Sequence, residues 1–144
     1  MSLPERTSPE YGSDRGANVI AAISDEMVRL YKEQFGRGPT TARTYWAGPD
    51  LIVVTLHDTF TPAERNLQRL GEHQRLRDTR LFFQYASVRA FCEPVERITG
   101  RRVRSFISGI DTQTDMALET FELWPEGTDA PGRWEFAERR GGDL

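Results

Sequence analysis

A long helical stretch between two predicted β-hairpins constrains this chain more than any other feature. The stretch opens with Thr61-Pro62-Ala63-Glu64, where the hydroxyl of Thr61 can accept from the amide of Glu64, and the Glu64 carboxylate from the amide of Thr61. Pro62 stands at the first helical position, where its missing N–H has no cost. The stretch ends at Gly100, since glycine readily closes a helix in the left-handed conformation. The sequence therefore predicts one long helix here.

The apolar pattern along this predicted helix is uneven. Its front part, from Glu64 to Arg80, carries many arginines and few leucines, so we expect it to be exposed or docked on a partner. From Leu81 to Ile98 apolar residues recur at helical spacing, and we expect this part to be buried. Pro94 removes one backbone hydrogen bond, which predicts a kink or two helical segments there. The members of the apolar stripe are Leu81, Phe82, Tyr85, Val88, Phe91, Cys92, Val95 and Ile98.

The two halves of the chain have the same predicted order, a helix followed by a hairpin. The first helix begins near residues 14–18 and ends at Phe35-Gly36-Arg37-Gly38-Pro39. We predict four strands, over residues 40–46, 51–57, 102–110 and 116–123. The fold class is therefore α+β: a two-layer αββαββ sandwich whose four-stranded antiparallel sheet is covered on one face by two helices. Strand order stays open. In the last strand the apolar parity shifts between Leu118 and Phe121, which predicts a β-bulge or two partly covered faces.

The ends of the chain differ in composition from this central part. We expect residues 1–15 to be a disordered segment, residues 16–124 to form a single domain, and residues 125–144 to be a flexible tail. Trp134 and Phe136 in that tail either pack an extra strand or pack on nothing.

Composition excludes several classes of protein. The net charge of the 144 residues is −3, so no overall field attracts nucleic acid or anionic lipid. Cys92 is the single cysteine, which excludes an internal disulfide and a cysteine-based metal cluster. No apolar run reaches the ~20 residues that a membrane helix needs, and the polar N-terminal residues do not resemble a signal peptide. We expect a cytoplasmic protein.

Arginines supply the candidate binding site. Arg37 lies between Gly36 and Gly38, where backbone amides and a guanidinium can approach a small anion. The alternative is a helix end followed by a turn, since helix C-termini repel anions. The candidate residues for anion binding or partner contact are Gly36, Arg37, Gly38, Arg69, Arg77, Arg80, Arg101 and Arg102.

Other chemistries have weaker signals. His57 and Asp58 need a nucleophile in a recognisable setting, and with His73 they do not make a metal site. The loop Asp111-Thr112-Gln113-Thr114-Asp115 can hold a cation but is also an ordinary hairpin loop. The strand aromatics Tyr45, Trp46 and Phe106, with the basic helix, can bind nucleic acid, although no known motif is present. We therefore predict no catalytic residues, no metal and no cofactor.

Four motifs in order resemble the MpsC family, which is named for a sodium-translocating, membrane-potential-generating system. They are Phe35-Gly36-Arg37-Gly38-Pro39, Phe60-Thr61-Pro62-Ala63-Glu64, Ile98-Thr99-Gly100-Arg101-Arg102-Val103 and Ile110-Asp111-Thr112. The resemblance covers residues 17–123. Members typically have leucine where Phe60 stands and usually lack so long a tail. The resemblance implies association with a membrane ion or inorganic-carbon transport system, and it carries over no catalytic residue.

The first hypothesis for function is a non-enzymatic accessory or regulatory protein, peripheral to the inner face of the membrane, that acts by protein contacts or by binding a small anion. The alternative is a nucleic-acid-binding module, and a third hypothesis is a small hydrolase or lyase that uses His57. Exposed sheet edges predict a homodimer.

Overall fold

The computed structural model describes residues 14–135, so the expected disorder before residue 14 and Phe136 in the expected tail lie outside the described residues. The chain forms a four-stranded antiparallel sheet with strand order β1-β2-β4-β3, and helices pack against one face. This confirms the predicted α+β class. The elements are α1 (Asp14–Phe35), β1 (Thr41–Trp46), β2 (Leu51–His57), α2 (Pro62–Arg69), α3 (His73–Ala86), α4 (Val88–Thr99), β3 (Val103–Asp111) and β4 (Met116–Leu123).

The core lies between the sheet and a layer made by α1 and α4. The two helices contact each other, with α1 over β1 and α4 over β3. Alternate residues of the central strands β2 and β4 face this layer and are buried. No helix or strand of the described residues covers the other face of the sheet. The buried apolar residues include Ile23, Met27, Tyr31, Ile52, Val54, Leu56, Phe91, Val95, Phe106 and Phe121.

The predicted long helix is wrong, because three helices occupy that stretch. The capping box at its start is present: the Glu64 amide donates to Thr61 Oγ1 at 3.2 Å, and the Thr61 amide to Glu64 Oε1 at 2.9 Å. The first break follows α2, where Gly71 has a φ of 74° and the Glu72 amide reaches back to the Leu67 carbonyl. This is the hydrogen-bond pattern of a Schellman helix end, which a left-handed glycine favours.

The second break comes at Ser87, one residue before α4. Pro94 lies inside α4, which continues from Val88 to Thr99. Of the two predicted alternatives at the proline, a kink or a division into two segments, the division is therefore wrong. Because α3 and α4 are separate helices, the apolar periodicity of α4 does not extend back into α3. The stripe is buried at Val88, Phe91, Cys92 and Val95.

In α3 the predicted burial is wrong for two members of the stripe. Phe82 is 69% exposed and Tyr85 is 39% exposed. The buried positions of α3 are instead Leu76, Arg80 and Gln84, two of which are polar.

Of the two predicted causes of the apolar parity shift in β4, the β-bulge in that strand is wrong, whereas Met116 and Leu118 are half-buried on the outward face, as the second alternative predicts. The pairing of β4 is continuous from Met116 to Glu122, and the register shift lies in β3, between Val103 and Ser105. On β4 the position that faces the helices between Ala117 and Phe121 is Glu119, a polar residue that is 0% exposed. A glutamate at a core position therefore produced the apparent shift.

Arg80 joins α2 and α3 to the end of β2. Its guanidinium is 0% exposed, and Nε and Nη2 donate to the two carboxylate oxygens of Glu64 at 2.8 and 2.6 Å. It also donates to the hydroxyl and the carbonyl of Thr59, and it stacks 3.9 Å from the ring centroid of Phe35. Burial opposes ionisation of Glu64, but the hydrogen bonds from Arg80 hold the pKa of that carboxyl below its ordinary value. The pair is thus charged and almost fully bonded.

The turn between β3 and β4 is attached to the same segment. Asp115, at a φ of 58°, accepts from the amides of Thr59 and Phe60 at 2.9 and 3.0 Å, and from the Thr59 hydroxyl. These bonds satisfy backbone donors that the end of β2 leaves unpaired. The start of α2, α3 and the β3–β4 turn therefore meet at Thr59.

Part of the segment expected to be a tail contacts the domain. The indole Nε1 of Trp134 donates to Glu96 Oε1 at 2.6 Å, and the Arg89 guanidinium lies 4.8 Å from the Trp134 ring. Within 125–135, the described part of that segment, Trp134 packs on α4.

We expect Arg80→Met to lower the free energy of unfolding by about 3–5 kcal/mol. The substitution removes the guanidinium that the mostly buried Glu64 carboxylate and the buried Thr59 bind. Arg80→Lys keeps the charge but not the forked geometry, so it should fall between this variant and the wild type. Urea denaturation followed by circular dichroism measures the change. The matched control is Arg75→Met, whose side chain is 73% exposed and which should cost less than about 1 kcal/mol. Equal losses from the two methionine variants would contradict the assigned role.

Candidate functional site

The predicted anion site at Gly36, Arg37 and Gly38 is a helix end in the structure. Gly36 has a φ of 76°, and its amide closes α1 by donating to the Lys32 carbonyl at 2.9 Å. The guanidinium of Arg37 donates to the carbonyl of Phe60 at 2.9 Å, so it braces the segment between β2 and α2.

The other predicted arginines do not gather around this loop. Arg101 lies at the opposite end of β2, where it donates to the carbonyls of Pro49 and Trp124 and to the carboxylate of Asp50. Arg102 contacts the carboxylates of Glu96 and Glu135. These side chains serve internal contacts between loops and strand ends.

Arg80 is in the interior, so it is not part of a surface site. Arg69 and Arg77 are on exposed positions of α2 and α3, and Arg69 donates to Asn66 Oδ1 at 3.2 Å. The eight candidate residues are therefore dispersed over the described part of the chain, and their role in anion binding or partner contact stays a prediction.

The residues considered for catalysis and cation binding are also dispersed. His57 Nδ1 lies 3.2 Å from the Thr41 hydroxyl, and His73 Nδ1 lies 2.7 Å from the Thr112 hydroxyl on a different part of the fold. Asp111 accepts from the amides of Gln113 and Thr114 within its own turn. Within residues 14–135, no group of three or more His, Cys, Asp or Glu residues is arranged to hold a metal ion.

The sequence analysis did not identify a buried polar cluster around Glu119. Glu119 Oε1 accepts from the hydroxyl of Tyr31 and from Nε2 of Gln84, both at 2.8 Å, and Gln84 Nε2 lies 2.8 Å from that hydroxyl. The cluster joins α1, α3 and β4, and all three side chains are 0% exposed. The other oxygens, Glu119 Oε2 and Gln84 Oε1, have no hydrogen-bond partner among the described residues.

The environment of Glu119 favours its protonated form. Burial raises the pKa of its carboxyl to about 8. The hydroxyl of Ser108, which lies opposite Glu119 on β3, opposes this effect most, followed by the Tyr31 hydroxyl, the charge of Arg80 and the Gln84 amide, and together they offset it only in part. Burial and the neighbouring Glu119 also raise the pKa of Tyr31 well above its ordinary value, so the phenol stays a donor. The cluster can store a proton in the core, but a substrate cannot reach the carboxyl without opening the fold. The sequence held one signal for the buried position of Glu119. Alternate residues of a strand face the same side, so Glu119 shares the buried side of β4 with Phe121 and Leu123.

The outward side of α3 carries exposed aromatic residues. Phe82 and Phe83 are 69% and 51% exposed, and their rings form an edge-to-face pair with centroids 5.7 Å apart. Tyr85 follows them, and its ring packs edge-on against Phe106 at 5.8 Å. We call Phe82, Phe83 and Tyr85 the α3 aromatic patch. Contiguous exposed apolar patches often mark interaction sites on a protein surface.

We expect the free energy of unfolding to fall as the pH rises from about 5 to 8. In that range the unfolded chain has released the proton of residue 119, while the folded chain keeps it. The free energy of unfolding therefore falls by up to about 1.4 kcal/mol for each unit of pH. Carboxyls with a lowered pKa, such as Glu64, lose their contribution only below about pH 4.5.

Urea titrations at several pH values measure the slope of the free energy of unfolding against pH. Glu119→Gln should remove it, because glutamine cannot ionise. Glu122→Gln, on the other face of the same strand, should keep it. If the wild type and Glu119→Gln show the same slope, Glu119 is not the group that makes the stability depend on pH.

Comparisons with known proteins complete this picture. Over 107 residues the chain is 25% identical to the "Uncharacterized protein YbcI" of Bacillus subtilis (strain 168), a match that covers 74% of this chain and 86% of that protein. No solved structure matches the chain. No helix of residues 14–135 is long and apolar enough to cross a membrane.

Residues 17–124 match a family described as "Na+-translocating membrane potential-generating system (MpsC)". The match spans both halves of the sandwich, from α1 to the end of β4. The resemblance inferred from the motifs is thereby confirmed, and the chain belongs to the MpsC family.

Proposed function

We propose that this protein is a non-enzymatic accessory component of a Na+-translocating, membrane-potential-generating system and that it acts through protein contacts made by the α3 aromatic patch. The family description supports the association with such a system. The observation that carries the mode of action is the exposure of Phe82 and Phe83 on α3.

The amphipathicity of α3 supports a partner on its outward side. Two of its three buried residues, Arg80 and Gln84, are polar, whereas Phe82 and Phe83 point outward. A helix that packed only on its own domain would show the opposite arrangement. Aromatic and arginine side chains are enriched at protein interfaces, and α3 also exposes Arg75 and Arg77.

The contacts of the arginines favour protein recognition over anion binding. Arg37 and Arg101 donate to backbone carbonyls, and Arg80 is buried against Glu64. A free anion would have to displace these bonds.

Nucleic-acid binding has less support than a protein partner. Of the three strand aromatics considered, Phe106 is buried and Trp46 packs against the core, so only Tyr45 faces solvent. A sheet that stacks bases exposes several aromatic rings on one face. The remaining positive charge of α2 and α3 is interrupted by Glu72 and Asp78.

A photo-cross-linking amino acid at Phe82, in the full chain expressed in its native cells, tests the proposal. We expect an adduct with an integral membrane protein whose deletion abolishes Na+-dependent membrane potential. The same probe at Glu93, an exposed position on α4, should give no such adduct.

Phe82→Ser combined with Phe83→Ser should weaken binding to that protein at least tenfold, because central aromatic contacts dominate interfaces. Leu70→Ser is the matched control, since Leu70 is 75% exposed and lies outside the patch. Adducts only with soluble proteins, or equal binding by both variants, would overturn the proposal.

A further inference from the structure

The face of the sheet opposite the helices is a second uncovered surface. Across its middle, Tyr45, Val53, Thr120 and Ile107 lie side by side, one from each strand. All four are exposed or half-buried. We call the outward residues of the four strands the open sheet face. Its large apolar members are Tyr45, Leu51, Val53, Ile107, Met116 and Leu118.

We propose that the open sheet face is the interface of a homodimer, with a second copy of this chain packed face to face on the first.

The distribution of charge on this face fits self-association. Its middle is neutral, and charged side chains lie at the margins: Arg43 on the edge strand β1, Asp111 at the end of β3, and an ion pair of Arg104 with Glu122, whose Nε and Oε1 are 3.8 Å apart. Because the margins carry both signs, a second copy can meet the charges of the first with opposite ones. Buried charges at the centre of an interface would instead be costly.

Two polar side chains on this face, those of Thr120 and Ser105, are already bonded within the chain. The Thr120 hydroxyl donates to the carbonyl of Ile107 at 2.9 Å, and the Ser105 hydroxyl donates to Glu122 Oε1 at 2.8 Å. Contact with an apolar partner therefore leaves these hydroxyl donors paired, which avoids much of the usual desolvation cost.

The size of the face is sufficient for a weak specific dimer. Four strands spaced about 4.8 Å apart, with a rise of about 3.3 Å per residue, give a face roughly 19 Å wide and 20–30 Å long. Two such faces bury about 1,000 Å² in total, where specific interfaces begin. An interface of this size lies at the weak end of specific ones, so we expect association at micromolar or higher protein concentration.

The edge of β3 is less suited to pairing with a second copy. The amide of Ser108 donates to the Tyr85 hydroxyl at 3.0 Å, and that hydroxyl donates to the Ser108 carbonyl at 3.3 Å. Tyr85 thus occupies outward backbone groups of the edge strand that a partner strand would need. The face, rather than this edge, is where a second copy fits.

Sedimentation velocity of the full chain over about 1–200 μM tests the proposal, a range that brackets the micromolar expectation. We expect the mass to rise from 16.5 kDa to twice that value. Ile107→Arg should weaken the dimer at least tenfold without loss of folding, because Ile107 is 63% exposed. Phe82→Arg, at a similarly exposed apolar position on the helix layer, should leave it intact.

Cross-linking through introduced cysteines tests the same interface without placing a charged residue in it. Cys92, the single native cysteine, is buried, and burial raises the pKa of its thiol. A two-fold axis passes through the middle of an isologous interface, where Val53 lies on a central strand. A short bis-maleimide should therefore join two chains through Val53→Cys but not through Phe82→Cys.

Three outcomes would overturn the proposal. They are a monomer at every concentration, a dimer broken by Phe82→Arg and not by Ile107→Arg, and cross-links through Phe82→Cys alone. The last two would place the second copy on the α3 aromatic patch. A monomer that binds the membrane component through the open sheet face would assign that face to the other partner.

Discussion

The buried guanidinium of Arg80 is the interaction on which the middle of this structure depends. It holds the Glu64 carboxylate at the start of α2, bonds to Thr59 after β2, and stacks on Phe35 at the end of α1. Asp115 reaches the same Thr59 from the β3–β4 turn. A charge can be buried here because each of the three guanidinium nitrogens finds an acceptor, as the forked geometry of arginine allows. Elements far apart in the chain thus meet at one point.

The polar interior continues from this point to Glu119, whose ionisation Arg80 favours and burial opposes. Gln84, one helical turn after Arg80, belongs to the second cluster, so α3 faces the core through polar contacts. Hydrogen-bonded clusters specify one arrangement of their neighbours, because each donor needs an acceptor at a fixed place. The apolar residues of α3 are then left on the outside. The orientation of α3 about its axis therefore has two consequences. It buries Arg80 and Gln84, and it exposes the aromatic pair Phe82 and Phe83.

The sandwich leaves two surfaces uncovered, and they lie on different layers. The α3 aromatic patch belongs to the helix layer, and the open sheet face lies behind the strands. A protein with two such surfaces can bind a second copy on one and a different protein on the other. Membership in the MpsC family relates this arrangement to a membrane ion system. Under the two proposals, the domain links a second copy of the chain to a membrane component.

The sequence alone determined the elements that depend on local signals: the capping box at Thr61, the glycine ends at Gly36 and Gly100, the four strands, and the sandwich that follows from their order. Periodicity also identified the buried part of α4. The break at Gly71 also had a local signal, the glycine itself, which the prediction of one long helix passed over. Only the tertiary structure decided the break at Ser87, the strand order, and the burial of Arg80 and Glu119. Charged residues are rarely buried, so pattern alone assigns them to the surface. Their burial depends on partners distant in sequence, since Tyr31 meets Glu119 across 88 residues. Local sequence carries no record of such contacts, because they form only when the whole chain packs.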